Sequence, residues 1–173
     1  MKIINIFGES GAGKSTVASG LFYAMKINFY EVELTQEYAK ILTWSKRYID
    51  LSDQLKITAK QHHYLHMLKN KVDYVITDSP LILGLIYKPN NYFKSFDNLV
   101  LDLYNSYDNI NILLKRKFKY NINGRNESEI ESINKRNQLV DILNNNKINY
   151  IEFDSNKKSA NNIFNYLKTN KLI

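Results

Sequence analysis

Short apolar runs alternate along this chain with longer stretches whose apolar residues recur at helical spacing. The first run, Ile3-Ile4-Asn5-Ile6-Phe7, predicts a strand over about 2–7, and a helix follows to about Lys26. Tyr30 to Leu34 predicts a second strand, with helical patterns from Thr35 to Trp44 and from Ser52 to Lys69. Ser52 stands there as N-cap, with Asp53 in the first turn. Asp73 to Asp78 predicts a third strand. An apolar connection spans 79–90, containing Pro80 and Pro89, and a helix covers about Tyr92 to Tyr104. Asn109 to Lys115 predicts the fourth strand. Asn126 with Glu129 marks a capped helix start, with Ile130, Ile133, Val140 and Leu143 on one face. Asn149 to Asp154 predicts the fifth strand, and 159–169 a closing helix.

Strands alternating with helical crossovers predict an α/β fold with a parallel sheet of five strands in a three-layer sandwich. No linker divides the pattern, so residues 1–173 form one expected domain.

Between the first strand and its helix lies Gly8-Glu-Ser-Gly-Ala-Gly-Lys14-Ser15-Thr16, a complete G-x-x-x-x-G-K-[ST] phosphate-binding loop. Such a loop turns backbone N–H groups toward phosphate oxygens, and the helix that follows adds the positive end of its dipole. The nucleotide-binding segment comprises Gly8, Ser10, Gly11, Ala12, Gly13, Lys14, Ser15 and Thr16. Lys14 is expected on the β- and γ-phosphates, and the Ser15 hydroxyl on Mg²⁺. The expected ligand is ATP or GTP with Mg²⁺.

In an open parallel sheet, ligands bind beyond the carboxyl ends of the strands, so polar residues there are candidates for chemistry. Asp78 ends an apolar strand, where an acidic residue holds Mg²⁺ directly or through water. Glu33 and Glu37 fall at the end of the second strand and the start of the next helix. Either could orient an acceptor hydroxyl or take its proton. The polar, basic stretch from about 116 to 127 stands where a short lid would close, with Arg116 and Arg125, and Arg136 beyond it, as candidate cations for the transferring phosphoryl.

Other features read more plainly. His62, His63 and His66 lack the acidic partner and third ligand of a zinc helix and read as ordinary helix histidines. Trp44 and the aromatic helix 92–104 read as packing surface. Gln54 and Gln61 border the expected acceptor cleft, either reading a base or ribose or facing solvent.

Composition narrows the setting. The chain has no cysteine, which excludes disulfides, thiolate metal sites and thiol nucleophiles together. A core strand beginning at residue 2 leaves no room for a signal peptide, and no apolar run reaches membrane length, so a cytoplasmic protein is expected. The net charge of +7 suits phosphate-bearing substrates or nucleic acid, but much of it is scattered lysine on solvated faces. The exception is Lys115-Arg-Lys-Phe-Lys-Tyr120, where basic and aromatic residues interleave.

The phosphate loop, then Glu33-Leu-Thr-Gln-Glu-Tyr-Ala-Lys40, then Tyr74-Val-Ile-Thr-Asp-Ser-Pro80 resembles NadR-type P-loop kinases. Tyr107-Asp108, Ile112 to Lys115, Gly124-Arg125 and Asn149 to Ser155 extend the likeness over almost the whole chain. The chain is most similar to small kinase-like proteins of tailed bacteriophages that go under the label of AAA-family ATPases. The resemblance implies a nucleotide-kinase-like fold with a short lid, ATP with Mg²⁺, and phosphoryl transfer to a nucleoside-like hydroxyl, nicotinamide riboside in the NadR-type enzymes. For a phage protein the compartment is the host cytoplasm. Carried over by position, Lys14, Ser15 and Asp78 match the nucleotide site, Glu33 and Glu37 the acidic residues, and Arg125 the lid arginine. Gln36 stands where that family has arginine, and the chain holds no adenylyltransferase domain.

The leading expectation is thus an ATP-dependent kinase of a nucleoside or nucleotide. A kinase of a modified base in nucleic acid, and a nucleotide-dependent binding module, are the alternatives. Acceptor identity and oligomeric state, a homo-oligomer included, do not follow from the sequence.

Overall fold

The computed structural model describes residues 1–122 and 127–173. Its elements are β1 (Lys2–Phe7), α1 (Lys14–Ile27), β2 (Val32–Thr35), α2 (Tyr38–Trp44), α3 (Tyr48–Ser52), α4 (Gln54–Leu68), β3 (Tyr74–Thr77), α5 (Leu83–Tyr87), α6 (Lys94–Asn105), β4 (Asp108–Arg116), α7 (Glu129–Asn145), β5 (Ile151–Ser155) and α8 (Ser159–Thr169).

The five strands pair in parallel in the order β2-β3-β1-β4-β5. β1 is apolar on both faces because both are covered, as a parallel sheet requires. Ile4 and Ile6 pack with Val17, Leu21, Ile163 and Leu167 beneath α1 and α8. Ile3 and Phe7 pack on the opposite face with Leu65, Phe96, Val100, Leu139 and Leu143 from α4, α6 and α7. Asn5 interrupts the second face and is satisfied there by the side chains of Asn109 and Asn111, at 2.9 and 3.0 Å. The connection leaving β1 passes to the α1 face, while those leaving its neighbours β3 and β4 pass to the other. That divergence opens a crevice at the carboxyl end of β1.

Several boundaries differ from the sequence reading. β2 runs from Val32 to Thr35, since Thr35 stays in register with Thr77 instead of starting a helix. A short helix, α3, occupies 48–52, and Asp53 rather than Ser52 caps α4, accepting the Lys56 N–H. α7 begins on a capping box between Ser128 and Glu131, not on Asn126 and Glu129. Asn126 lies outside the described residues. The buried face of α7 is Ser132, Leu139 and Leu143, while Ile130 and Ile133 are exposed. Among the described residues, no helix is long and apolar enough to cross a membrane.

Candidate nucleotide site

The phosphate loop joins β1 to α1 at the mouth of the crevice. Gly13 has φ +81°, a left-handed conformation that strains any residue with a Cβ, and a Cβ there would also lie 3.1 Å from Ser155 Oγ. Three outside elements tie the loop down. Ser155 Oγ at the end of β5 donates to the Ala12 carbonyl at 2.7 Å. Ser132 Oγ on α7 donates to the Ser10 carbonyl at 2.8 Å. The Arg116 N–H at the end of β4 donates to Glu9 Oε1 at 3.2 Å. Satisfying these groups from behind leaves the concave side of the loop for a ligand. Lys14 curls over that side, its Nζ donating to the Gly8 and Glu9 carbonyls at 3.1 and 3.2 Å.

The loop opens on a cleft of about 550 Å³, within the range of small-molecule sites. Ser10, Gly11, Gly13, Lys14, Ser15 and Thr16 line one end, while Gly8 and Ala12 are buried and not among its walls. The far lobe is built by α2, α3, α4 and α5, with Trp44, Leu51, Ile57 and Thr58 among its walls. A second cavity of about 370 Å³ adjoins it, sharing Ser15, Glu37, Lys40 and Trp44 and adding Asp78. Trp44 is thus a cleft wall, two-thirds exposed, rather than packing surface.

Glu37 stands at the junction of the two cavities. It occupies the N-cap position of α2 without capping it, which leaves its carboxylate for the cleft. Burial raises its pKa above the usual carboxylate range. Lys14 and Lys40 pull it back, and Asp78 and Glu127 add to the rise. Glu33 goes elsewhere: it pairs with Lys26 at 3.2 Å, both side chains well exposed, and neither cavity includes it among its described walls. Of the two candidate carboxylates, the structure therefore brings Glu37 to the cleft and leaves Glu33 outside its described walls.

Asp78 is buried, and its Oδ1 has no hydrogen-bond partner. A buried carboxylate oxygen left unpaired is costly unless a cation or water meets it. With the Ser15 hydroxyl on the same cavity, the pair is a hard-oxygen donor set of the kind Mg²⁺ takes alongside phosphate oxygens and waters. The residues present fit that ion.

The arginines are arranged otherwise than expected. Arg116 is almost fully buried, with Nη2 on Glu129 at 2.9 Å and Nε 3.8 Å from Glu9. Arg136 binds Glu152 at 2.6 Å and lies 3.4 Å from the other Glu9 oxygen. Glu9, a variable position of the loop motif, is the buried anion between them. Both arginines brace the back of the phosphate loop and neither lines the cleft. Arg125 lies outside the described residues.

The cation that does line the cleft from α7 is Lys135. It sits one turn beyond Ser132, so the bond that docks α7 on the loop also brings Lys135 beside it. Its Nζ pairs with Glu127 at 2.6 Å and lies 3.9 Å above the Tyr87 ring. Desolvation, with Glu127 and Glu37, pushes the Tyr87 phenol up. Sequence reading passed over Lys135, Glu127 and Tyr87. The available signal was Ser132, a polar residue spaced 7 and 11 positions before the buried Leu139 and Leu143.

No protein-family model matches the chain, and no curated protein sequence matches it. Solved structures do. A thymidylate kinase from Ehrlichia chaffeensis aligns with a TM-score of 0.61 at 19% identity, covering 99% of this chain and 98% of that one. A deoxyadenosine kinase from M. mycoides with products dCMP and dCDP bound aligns at 0.58 and 22% identity, covering 98% and 100%. The dATP-bound structure of that kinase aligns at 0.54 and 21%, covering 96% and 98%. The fold is that of the P-loop nucleotide kinases.

The Glu9 cluster generates a stability prediction. Glu9→Ala leaves the buried Arg116 and its neighbour Arg136 without their shared anion, and is expected to cost about 3–5 kcal/mol. Glu33→Ala removes an exposed pair and is expected to cost about 0–1 kcal/mol. Urea unfolding of the two variants measures the difference.

Proposed function

We propose that this protein is an ATP- and Mg²⁺-dependent kinase that transfers the γ-phosphoryl group to a hydroxyl of a nucleoside or nucleotide. The observation that carries the reading is one continuous cleft with the phosphate loop at one end, a second lobe between α2, α3, α4 and α5, and Glu37 on its wall. A protein that only binds or hydrolyses nucleotide needs no second lobe. The kinases that share the fold support the same reading.

In this mechanism the loop N–H groups and Lys14 hold the donor phosphates. Ser15, and Asp78 directly or through water, would hold Mg²⁺, which when bound would supply positive charge to the phosphate oxygens. Glu37 takes the proton of the acceptor hydroxyl as that oxygen attacks the γ-phosphorus. The bond from that phosphorus to the β,γ-bridging oxygen breaks, and ADP leaves with the bridging oxygen's electron pair. Burial raises the Glu37 pKa, which makes it a stronger base toward that proton than an exposed carboxylate. Lys135 offsets the charge spread over the transferring group. Arg116 and Arg136 act from behind, holding the loop in shape.

Mass spectrometry with Mg·ATP and a panel of nucleosides, nucleotides, nicotinamide riboside and 5-hydroxymethylpyrimidine DNA tests the reading. A nucleoside or nucleotide heavier by one phosphoryl group, absent with Lys14→Ala, is the expected result. ATP binding with nothing phosphorylated would favour a nucleotide-dependent binding module, and transfer to the DNA alone would move the acceptor into nucleic acid. Lys135→Met is expected to lower kcat by about 10²-fold or more with ATP affinity little changed. Steady-state kinetics beside calorimetric ATP titration separates the two.

A further inference from the structure

Gln61 on α4 is 2% exposed, and its amide is committed to the protein on both sides. Its Oε1 accepts the Tyr38 N–H at 3.3 Å, and its Nε2 donates to the Gln36 carbonyl at 3.3 Å. These are the residues on either side of Glu37. The Tyr38 N–H is the first of α2, a donor that no helix satisfies internally and that Glu37 does not cap. Nε2 also lies 3.5 Å from Thr77 Oγ1, which accepts the Ser79 N–H at 3.2 Å. Thr77 and Ser79 are the residues on either side of Asp78. One buried amide thus grips the backbone around Glu37 and reaches, through one hydroxyl, the backbone around Asp78.

We infer that Gln61 is a positioning residue that fixes the Glu37 carboxylate relative to the Asp78 carboxylate. The inference rests on the kinase reading for its purpose, but the geometry stands without it. It also assigns Gln61 a role other than reading a base or facing solvent, since its amide is occupied within the protein.

Glu37 is held in its desolvated place against Lys14 on α1, Lys40 on α2, Asp78 after β3, Tyr87 on α5 and Glu127 before α7. A backbone freed on both sides of Glu37 lets the carboxylate move toward water. Its pKa then falls toward the ordinary carboxylate range, because burial is the largest cause of the rise.

Gln61→Met keeps an unbranched side chain and removes both the donor and the acceptor. The direct readout needs no acceptor: side-chain carboxyl ¹³C titration of the full chain, with the Glu37 resonance assigned by Glu37→Gln. The expected result is a Glu37 midpoint lowered by about half a pH unit or more in folded Gln61→Met. An unchanged midpoint would overturn the inference. Should Gln61→Met fail to fold, amide hydrogen exchange of the wild-type protein decides. A protected Tyr38 N–H supports the grip, and free exchange there refutes it.

Kinetics adds the functional half, with γ-labelled ATP and an equimolar mixture of the four 2′-deoxynucleosides and their 5′-monophosphates as probe. Gln61→Met is expected to lower kcat about tenfold with KM for ATP unchanged, and to add little in a Glu37→Gln background. An equal loss in both backgrounds would mean that Gln61 acts only through general stability, contrary to the inference. A wild-type protein inactive on this mixture would count against the kinase reading, leaving the titration to judge Gln61.

Discussion

A phosphate loop works only if its backbone donors face one point, and a loop left to itself would not hold that shape. Here its other polar groups are bound from outside. Ser155 of β5, Ser132 of α7 and the Arg116 N–H of β4 each hold one loop residue. The sheet order makes this possible, because β4 and β5 lie on one side of β1 and their carboxyl ends reach the back of the loop. On the other side, β3 and β2 deliver Asp78 and Glu37 to the front. The loop is the point on which both halves of the sheet converge.

The same arrangement divides the charged residues by task. Glu9 sits behind the loop and binds two arginines, so their charge is spent on structure. In front, Lys14, Lys40 and Lys135 share the cleft with Glu37, Glu127 and Glu131. Their close mixture leaves Glu37 half-buried and flanked by cations, the setting that its proposed role as proton acceptor would need. Ser132 and Lys135, one turn apart on α7, couple the two sides: the first supports the loop and the second lines the cleft.

The sheet was legible because five apolar runs, each followed by turn or helix signals, admit few other readings, and the phosphate loop names its own place after the first. The place of Glu37 and Asp78 on the cleft followed from the rule that ligands bind beyond strand ends. Glu33 was misplaced because spacing along the chain cannot tell which face of an edge strand a residue takes, and Lys26 claims that carboxylate. Arginine looked like the lid cation on residue type alone. The buried Glu9 that holds Arg116 and Arg136 lies more than 100 residues away in sequence, and no local pattern reveals such a partner. Gln61 shows the same limit, since a glutamine on this helix reads as a base or ribose contact or as solvated until α2 and β3 are seen to pack against it.

The central claim is that donor and acceptor meet in one cleft across the phosphate loop. A bisubstrate analogue, a deoxynucleoside joined to adenosine through a bridging polyphosphate, tests it most directly by calorimetric titration against ATP. The account predicts binding tighter than that of ATP by about tenfold or more, since the second half binds at high effective concentration. It also predicts loss of that gain when bulk is placed in the far lobe by Leu51→Trp, at a half-exposed position of the cleft wall. An analogue that binds no tighter than ATP would contradict a shared cleft.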